Sequence, residues 1–447
     1  MSASARAWVD HVTWWHVYPL GFTGAPIREG ADEGRIVHRL PHIEAWLDHV
    51  IDLGLNGILL GPVFASTSHG YDIVDHFRVD PRLGDEDDVR RLIAAAHDRG
   101  VRVLFDGVFN HVGREHPQVE TLRGDGVFEG HDSLVELDHD SEVVRDLAVD
   151  AMTFWLDRGI DGWRLDAAYA VPPSFWASVL PRVRKRHPHA WFLGEVIHGD
   201  YSAIVRESGI DSVTQYELWQ GIWHGIADGN FFELAHALGR HVALLDTFVP
   251  ATFVGNHDVT RIATAVGRRH LPHALAVLFT VAGTPAVYAG DEYGFEAVKA
   301  ERIGGDDAVR PAFPPMPDEV EETDAARDAL RLTRDLVAFR RRRPWLHSAH
   351  TDVVETTNLT LVIRTAVDDD AAIVALNIGD DEAVVAAAGA GHRAATGRDG
   401  VAGRGRRREG GVEAKFTDCR EPSDILYRDQ PRGSDEGAGD QPGDLLR

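Results

Sequence analysis

DGWRLDAA, residues 161–168, sets Arg164 and Asp166 two positions apart inside an otherwise apolar run. A strand has a side-chain period of two, so both side chains point to one face. A guanidinium and a carboxylate on the same face of a buried strand have two readings. One is a structural ion pair; the other is an aspartate kept ionised because its chemistry requires the anion. A continuous apolar strand also belongs in a parallel sheet with both faces covered.

Runs of the same kind recur through the first three quarters of the 447-residue chain: WHVYPLG (15–21), GILLGPVF (57–64), VRVLFDGVF (101–109), GIDGWRL (159–165), AWFLGEV (190–196), SVTQYEL (212–218), ATFVGNHD (251–258) and TPAVYAGDE (284–292). Amphipathic stretches at helical spacing lie between most of them, such as 85–100, which opens on DEDD and stops at Gly100, and 141–159, which stops at Gly159. Strands alternating with helices in this number predict an α/β fold, a (β/α)8 TIM barrel. No G-x-G-x-x-G follows the first run, which argues against a dinucleotide-binding sheet. Past RRRPW (341–345) the pattern turns β-rich in LTLVIRTAV (359–367), AAIVALNIG (371–379) and EAVVAAA (382–388). The expected domains are therefore a catalytic barrel over 1–344, a small C-terminal all-β domain over 345–428 and a disordered Gly-, Pro- and Asp-rich tail over 429–447.

Composition narrows the function classes. Net charge is −25 with histidines neutral, so the surface repels nucleic acid and anionic membranes but not a neutral substrate. Cys419 is the one cysteine, which excludes an intrachain disulfide and a cysteine metal cluster. No apolar run spans a bilayer, and MSASARAWVD has neither the basic region nor the apolar stretch of a signal peptide. The expectation is a cytoplasmic protein, with oligomeric state undetermined and a homodimer left open.

Asp106, Asp166, Glu195 and Asp258 each stand just past the apolar part of a predicted strand. The carboxyl ends of barrel strands open on one face, so acids distant in sequence converge in space. Any one could be structural; like charges gathered in one pocket cost stability unless function requires them. His111 in DGVFNH and His257 in GNHD accompany them, suited to bond a substrate hydroxyl or to donate to a core carbonyl. A two-metal hydrolase would want more histidine ligands near the first strand, where only His16 is offered.

DGVFNH (106–111), GWRLDAA (162–168), GEV (194–196) and GNHD (255–258) resemble, in order, the consensus segments of the α-amylase family of glycoside hydrolases. HGYDIVDHFRVDPRLG (69–84) and GTPAVYAGDE (283–292) resemble two further family stretches, and the likeness runs over about 12–345. The resemblance implies retaining cleavage of an α-glucosidic bond through a covalent glycosyl-enzyme. It assigns Asp166 as nucleophile, its carboxyl held low by Arg164, Glu195 as general acid/base with a raised pKa, and Asp258 as the third acid, which binds hydroxyls and stabilises the transition state. It places Tyr71 under the sugar ring, Asp106 behind Arg164, and His111 and His257 on hydroxyls. Arg261 is set against the nonreducing end, where a surface arginine at a helix start is the simpler alternative.

The chain also departs from the family. The stretch 112–140 is too short for the long domain that helps bind calcium in many members; Asn110 matches a calcium ligand whose partners would have to come from that stretch. No cofactor is therefore expected, with calcium admitted but not required. AAYAV follows where starch-degrading amylases carry AAKH, leaving Tyr169 to stack on a sugar or to pack. Trp219 and Trp223 are candidates for outer stacking, with core packing an equal reading. Together these features favour hydrolysis of short, including cyclic, α-gluco-oligosaccharides. A transglycosylase shares the intermediate and is the alternative; a non-catalytic scaffold would be expected to lose acids that this chain keeps.

Overall fold

The floor of the fold is set by two glycines, one making way for an indole and the other for a neighbouring strand's backbone. A Cβ on Gly57 would lie 2.4 Å from the Trp14 ring, and one on Gly162 would lie 2.1 Å from the Trp191 carbonyl oxygen. With neither Cβ present, Trp14 and Trp191 stack at 5.8 Å and an interplanar angle of 10°, and Trp8 meets both edge-on. Leu59, Leu104, Leu193 and Ala251 complete this layer, which is separate from the larger core.

The computed structural model describes residues 8–28, 35–302, 304–321 and 323–381, together with the backbone of strands Ala383–Ala388, Arg407–Arg408, Gly411–Phe416 and Leu426–Asp429. Its centre is a sheet of eight parallel strands: β1 (Trp14–Val17), β2 (Gly57–Leu60), β3 (Arg102–Val108), β4 (Gly162–Asp166), β5 (Trp191–Gly194), β6 (Ser212–Val213), β7 (Ala251–Phe253) and β8 (Thr284–Tyr288). The hydrogen-bonded order β6-β5-β4-β3-β2-β1-β8-β7 is chain order wrapped into a ring. Thr214 pairs with Ala251 across the remaining gap and makes the barrel the sequence predicts. Register carries directly to function: Asp106 of β3 lies beside Arg164 of β4, and Val108 beside Asp166.

Helices cover the outside as the apolar spacing requires. Glu86–Asp98 starts on an Asp85–Asp88 capping box and is followed by Gly100 at φ +73°; Glu142–Leu156 is followed by Gly159 at φ +107°. The sixth predicted run is the exception. Only Ser212–Val213 are extended; Gln215 then accepts from the Leu218 N–H at 3.3 Å, and helix Tyr216–Ala227 begins. Tyr216 and Trp219 thus stand on a helix, where an apolar run alone does not distinguish helix from strand.

Residues after β3 fold into a small antiparallel sheet, in which Leu134–Leu137 pairs with both His111–Gly113 and Arg123–Val127. After helix Asp324–Arg341, strands His350–Thr356, Thr360–Val367, Asp370–Asn377 and Leu426–Asp429 form an antiparallel sheet. Thr360–Val367 and Asp370–Asn377 are joined by a tight hairpin with Asp368 at φ +48°. A further sheet pairs Gly411–Phe416 with Ala383–Ala388 and Arg407–Arg408. Of the tail expected to be disordered over 429–447, Asp429 ends the last strand, and the rest, with Cys419, lies outside the described residues. Among the described residues no helix is long and apolar enough to cross a membrane.

Two outcomes test this frame. Gly57→Ala should lower stability by about 1–3 kcal/mol through overpacking against Trp14, and by much less in a Trp14→Leu background, read as paired thermal melts. The net charge of −25 predicts that Tm rises as salt is raised from about 0.1 M to about 1 M, because screening shortens the range of self-repulsion.

Candidate active site

Side chains that alternate into the barrel from β3, β4 and β5 meet at its carboxyl end, where Arg164 is the hub. Its Nη1 donates to Asp106 Oδ2 and, at 3.1 Å, to Asp166 Oδ1; its Nη2 contacts Glu195 Oε1. Asp106 is fully buried, and Asp166 and Glu195 are each 7% exposed, so one guanidinium serves three carboxylates almost out of water. The consequence reverses one expectation from sequence. Burial, and then the Glu195 carboxylate, push Asp166 well above the ordinary carboxyl range despite Arg164. Arg164 is shared too widely to hold Asp166 low by itself. Burial also pushes Asp106 upward.

Glu195 is held by the turn that follows β4. Ala167 adopts φ +46°, a left-handed conformation that costs a residue with a Cβ about 1 kcal/mol. In that conformation its N–H donates to Glu195 Oε2 at 3.1 Å. Tyr216 OH donates to Glu195 Oε1 at 3.1 Å and accepts from Asn256 Nδ2 at 2.9 Å. Tyr216 and Asn256 are site residues that the sequence reading missed; the signals available were a tyrosine just past the sixth strand and the asparagine inside GNHD.

Asp258 closes the opposite arc. Burial opposes its charge, but His257, Arg310 and Arg164 outweigh it and hold the carboxyl well below its usual range. His257 Nε2 lies 2.9 Å from Asp258 Oδ2, and Arg310 Nη2 donates to Oδ1 at 2.6 Å. The His257 ring is stacked between Tyr18 and Tyr71, at 5.8 and 5.4 Å. Tyr71 OH bonds Asp106 Oδ2 at 3.1 Å and contacts His257 Nε2, so the expected ring platform is tied to the acid network. Burial pushes His111 down to about 3, leaving a neutral imidazole. Its Nε2, like His257 Nδ1, is buried without a protein hydrogen-bond partner among the described residues. Both atoms suit a sugar hydroxyl.

Arg261 is not placed as the sequence suggested, in either reading. It is 1% exposed, donates to the carbonyls of Ala289 and Val309 and to Asp291, and lies over the Tyr288 ring. Its guanidinium ties the loops after β7 and β8 together. The arginine beside the third acid is Arg310, which also pairs with Asp306 and lies over Tyr18. GGDDAVRP (304–311) carried that signal, an acidic pair shortly before an arginine. Trp219, half-buried, stacks on Phe253 and meets Tyr216 edge-on, so it backs the ring that holds Glu195. Tyr169 is half-buried and donates to Glu129 at 2.7 Å.

Asn110 is tied to its neighbours by two hydrogen bonds. Its Nδ2 donates to His111 Nδ1 at 3.2 Å, and its carbonyl accepts from the Leu137 N–H. A calcium ion wants six or more oxygen ligands. Among the described residues the one gathering of acid and imidazole ligands is His38, Asp85 and Asp88, whose two acids already form a helix cap.

The two perturbed acids have opposite linkage. Asp166 binds its proton more readily folded than unfolded, so its contribution to stability falls as pH rises above the ordinary 3.8. Asp166→Asn should therefore melt at least about 2 °C above wild type near about pH 7, the gap closing toward about pH 4. Asp258 is shifted the other way and contributes stability above its unfolded value, so Asp258→Asn should melt below wild type at neutral pH.

The α-amylase catalytic-domain family matches residues 33–125 and 127–365. The chain is 33% identical over 287 residues to a cyclomaltodextrinase of a Bacillus species, covering 56% of this chain and 51% of that protein. It is 27% identical over 346 residues to an intracellular maltogenic amylase of Bacillus subtilis, covering 65% and 57%. The chain thus spans little more than half the length of these curated relatives. Among solved structures, the cyclic α-maltosyl-(1→6)-maltose hydrolase from Arthrobacter globiformis shares the fold with a TM-score of 0.73 at 24% identity, over 85% of this chain and 92% of that one. With that family matched over most of the chain, the chain belongs to the α-amylase family.

Proposed function

We propose that this chain is a retaining glycoside hydrolase that cleaves α-glucosidic bonds in short and cyclic maltodextrins. The observation that carries this reading is Arg164 touching Asp166 and Glu195 together. Two carboxyl groups gathered on one guanidinium suit the nucleophile and acid/base of a retaining glycosidase. Burial, and then the neighbouring Glu195 carboxylate, favour the protonated form of Asp166 in the free pocket, and its attack requires the anion. Cleavage needs that proton on Glu195 when substrate is bound.

Glu195 gives the proton to the glycosidic oxygen as Asp166 attacks the anomeric carbon, and the glycosyl ester forms with inversion. Glu195, now the carboxylate, takes a proton from water, which displaces Asp166 with a second inversion. Arg164 stays paired with Asp106 through both steps. Asp258 is kept anionic by His257 and Arg310 and meets the positive charge that develops at the anomeric centre. Tyr71 lies under the ring, and the unpartnered nitrogens of His111 and His257 take hydroxyls.

The preference for short and cyclic substrates is supported by the relatives' names and by the small sheet that replaces a long domain after β3. The named intracellular relative supports a cytoplasmic setting, and the net charge disfavours nucleic acid and anionic membranes as partners. We assign no cofactor, because the stretch after β3 is short; activity should survive a chelator, and loss restored by calcium would overturn that assignment.

The deciding experiment follows hydrolysis of maltotriose, β-cyclodextrin and soluble starch by product sizing and by NMR of the fresh anomer. The expected result is α-anomeric product, with maltotriose and β-cyclodextrin used faster than starch. Initial β-anomer would overturn the mechanism, and longer products would indicate transfer. Asp166→Asn should lower kcat by about four orders of magnitude.

A further inference from the structure

Buried arginines in this protein sit on acids, with one exception. Among the described residues Arg82, Arg164, Arg261, Arg310 and Arg340 are buried. The first four pair with Asp80, Asp106, Asp291 and Asp258. Arg340, 7% exposed in the last turn of helix Asp324–Arg341, has no carboxylate within ion-pair distance among the described residues. Its Nη1 donates to the carbonyls of Phe279 and Val281, at 3.3 and 2.8 Å, and its Nη2 to that of Gly283. Carbonyls satisfy N–H groups but leave the charge without a counter-ion. Burial pushes this guanidinium down to about 9, and no acid opposes the shift. A buried cation is ordinarily paired.

Beside Arg340 lies a cavity of about 280 Å³. Its walls include Thr13, Asn56 and Gly283, which stand just before β1, β2 and β8, so it opens at the amino-terminal end of the barrel, away from the acids. Arg341, Arg343, His11 and His347 line it too, and Asp10 is the one acid among its lining residues. Arg341 is exposed and donates to the Gly54 carbonyl at 2.7 Å, which fixes the side chain without cancelling its charge. Asp10 reaches His347 Nε2 at 3.5 Å, an imidazole that burial pushes down to about 4 and keeps neutral. Asp10 therefore offsets no more than one of the two arginines. The result is a positive hollow in a chain of net charge −25.

We propose that this cavity is a binding site for a phosphate group, free or as the monoester of a small alcohol or sugar, with Arg340 and Arg341 as its cationic donors. A guanidinium fork matches the oxygens of a phosphate, and the dianion supplies the counter-charge that Arg340 lacks. The chain's overall field repels a polyanion, whereas one small dianion enters a locally positive hollow. A bound phosphate joins the start of the chain, the entries to β2 and β8 and the end of the last barrel helix, so binding adds to stability. The site is remote from Asp166, Glu195 and Asp258, and its occupancy does not depend on the glycosidase reading.

The test titrates the full chain with inorganic phosphate and, separately, with glycerol phosphate, by calorimetry and thermal melts at neutral pH, with sodium chloride holding ionic strength constant. Phosphate up to about 20 mM should raise Tm saturably by about 1–3 °C. Tighter binding of glycerol phosphate would identify an ester as the ligand, and tighter binding of inorganic phosphate the free ion. Arg340→Gln should weaken binding at least about 10-fold and Arg341→Gln about 3-fold, whereas Asp10→Asn should tighten it about 3-fold. A response no larger than that to chloride would overturn the site. Binding that is unchanged in Arg341→Gln and Asp10→Asn would overturn it equally, by placing the anion elsewhere. Should Arg340→Gln fail to fold, those two exposed variants, with effects of opposite sign, still decide the question.

Discussion

One buried guanidinium organises the mouth of this barrel. Arg164 touches Asp106, Asp166 and Glu195 at once, and the two members of any pair it bridges could not otherwise share so dry a space. Its single positive charge is spread over three negative ones. Burial first, and for Asp166 then the Glu195 carboxylate, push the Asp166 and Asp106 carboxyls upward against that one cation. A pocket with one arginine per acid would be more stable and chemically idle. Here the imbalance is the working condition, and the cost is met by the barrel around it.

The geometry descends from strand periodicity. Arg164 and Asp166 share a face because they are two apart, and Asp106 meets Arg164 because β3 and β4 pair in that register. Glu195 arrives from the next strand, and a left-handed Ala167 supplies it with an N–H. Each element places only one or two groups, yet the closed ring brings them within hydrogen-bonding distance. Asp258, approaching from the far side with its own arginine and histidine, is kept anionic while its neighbours resist ionisation. Different acid roles thus follow from different local counter-charges.

Much of this is legible in the residues. The alternation of apolar runs and amphipathic stretches is enough for the barrel, and acids just past the runs are enough for the site. What escapes is whatever depends on several segments at once. The position of Arg261 after Asp258 suggests a sugar contact, but carbonyls from two later loops claim its guanidinium. Arg310 fills the neighbouring role from a loop without regular spacing. Tyr216 stands where an apolar run does not separate strand from helix. The direction of the Asp166 shift is a sum over a whole pocket, whereas the sequence shows only its nearest pair.

The indole floor has a consequence for how such a cylinder can change. Closure is secured at the amino-terminal end by Trp8, Trp14 and Trp191, where two missing Cβ atoms make the space. The opposite rim therefore carries less of the duty to hold the strands together. Loops there can lengthen, shrink or exchange an aromatic for a lysine without unzipping the ring beneath them.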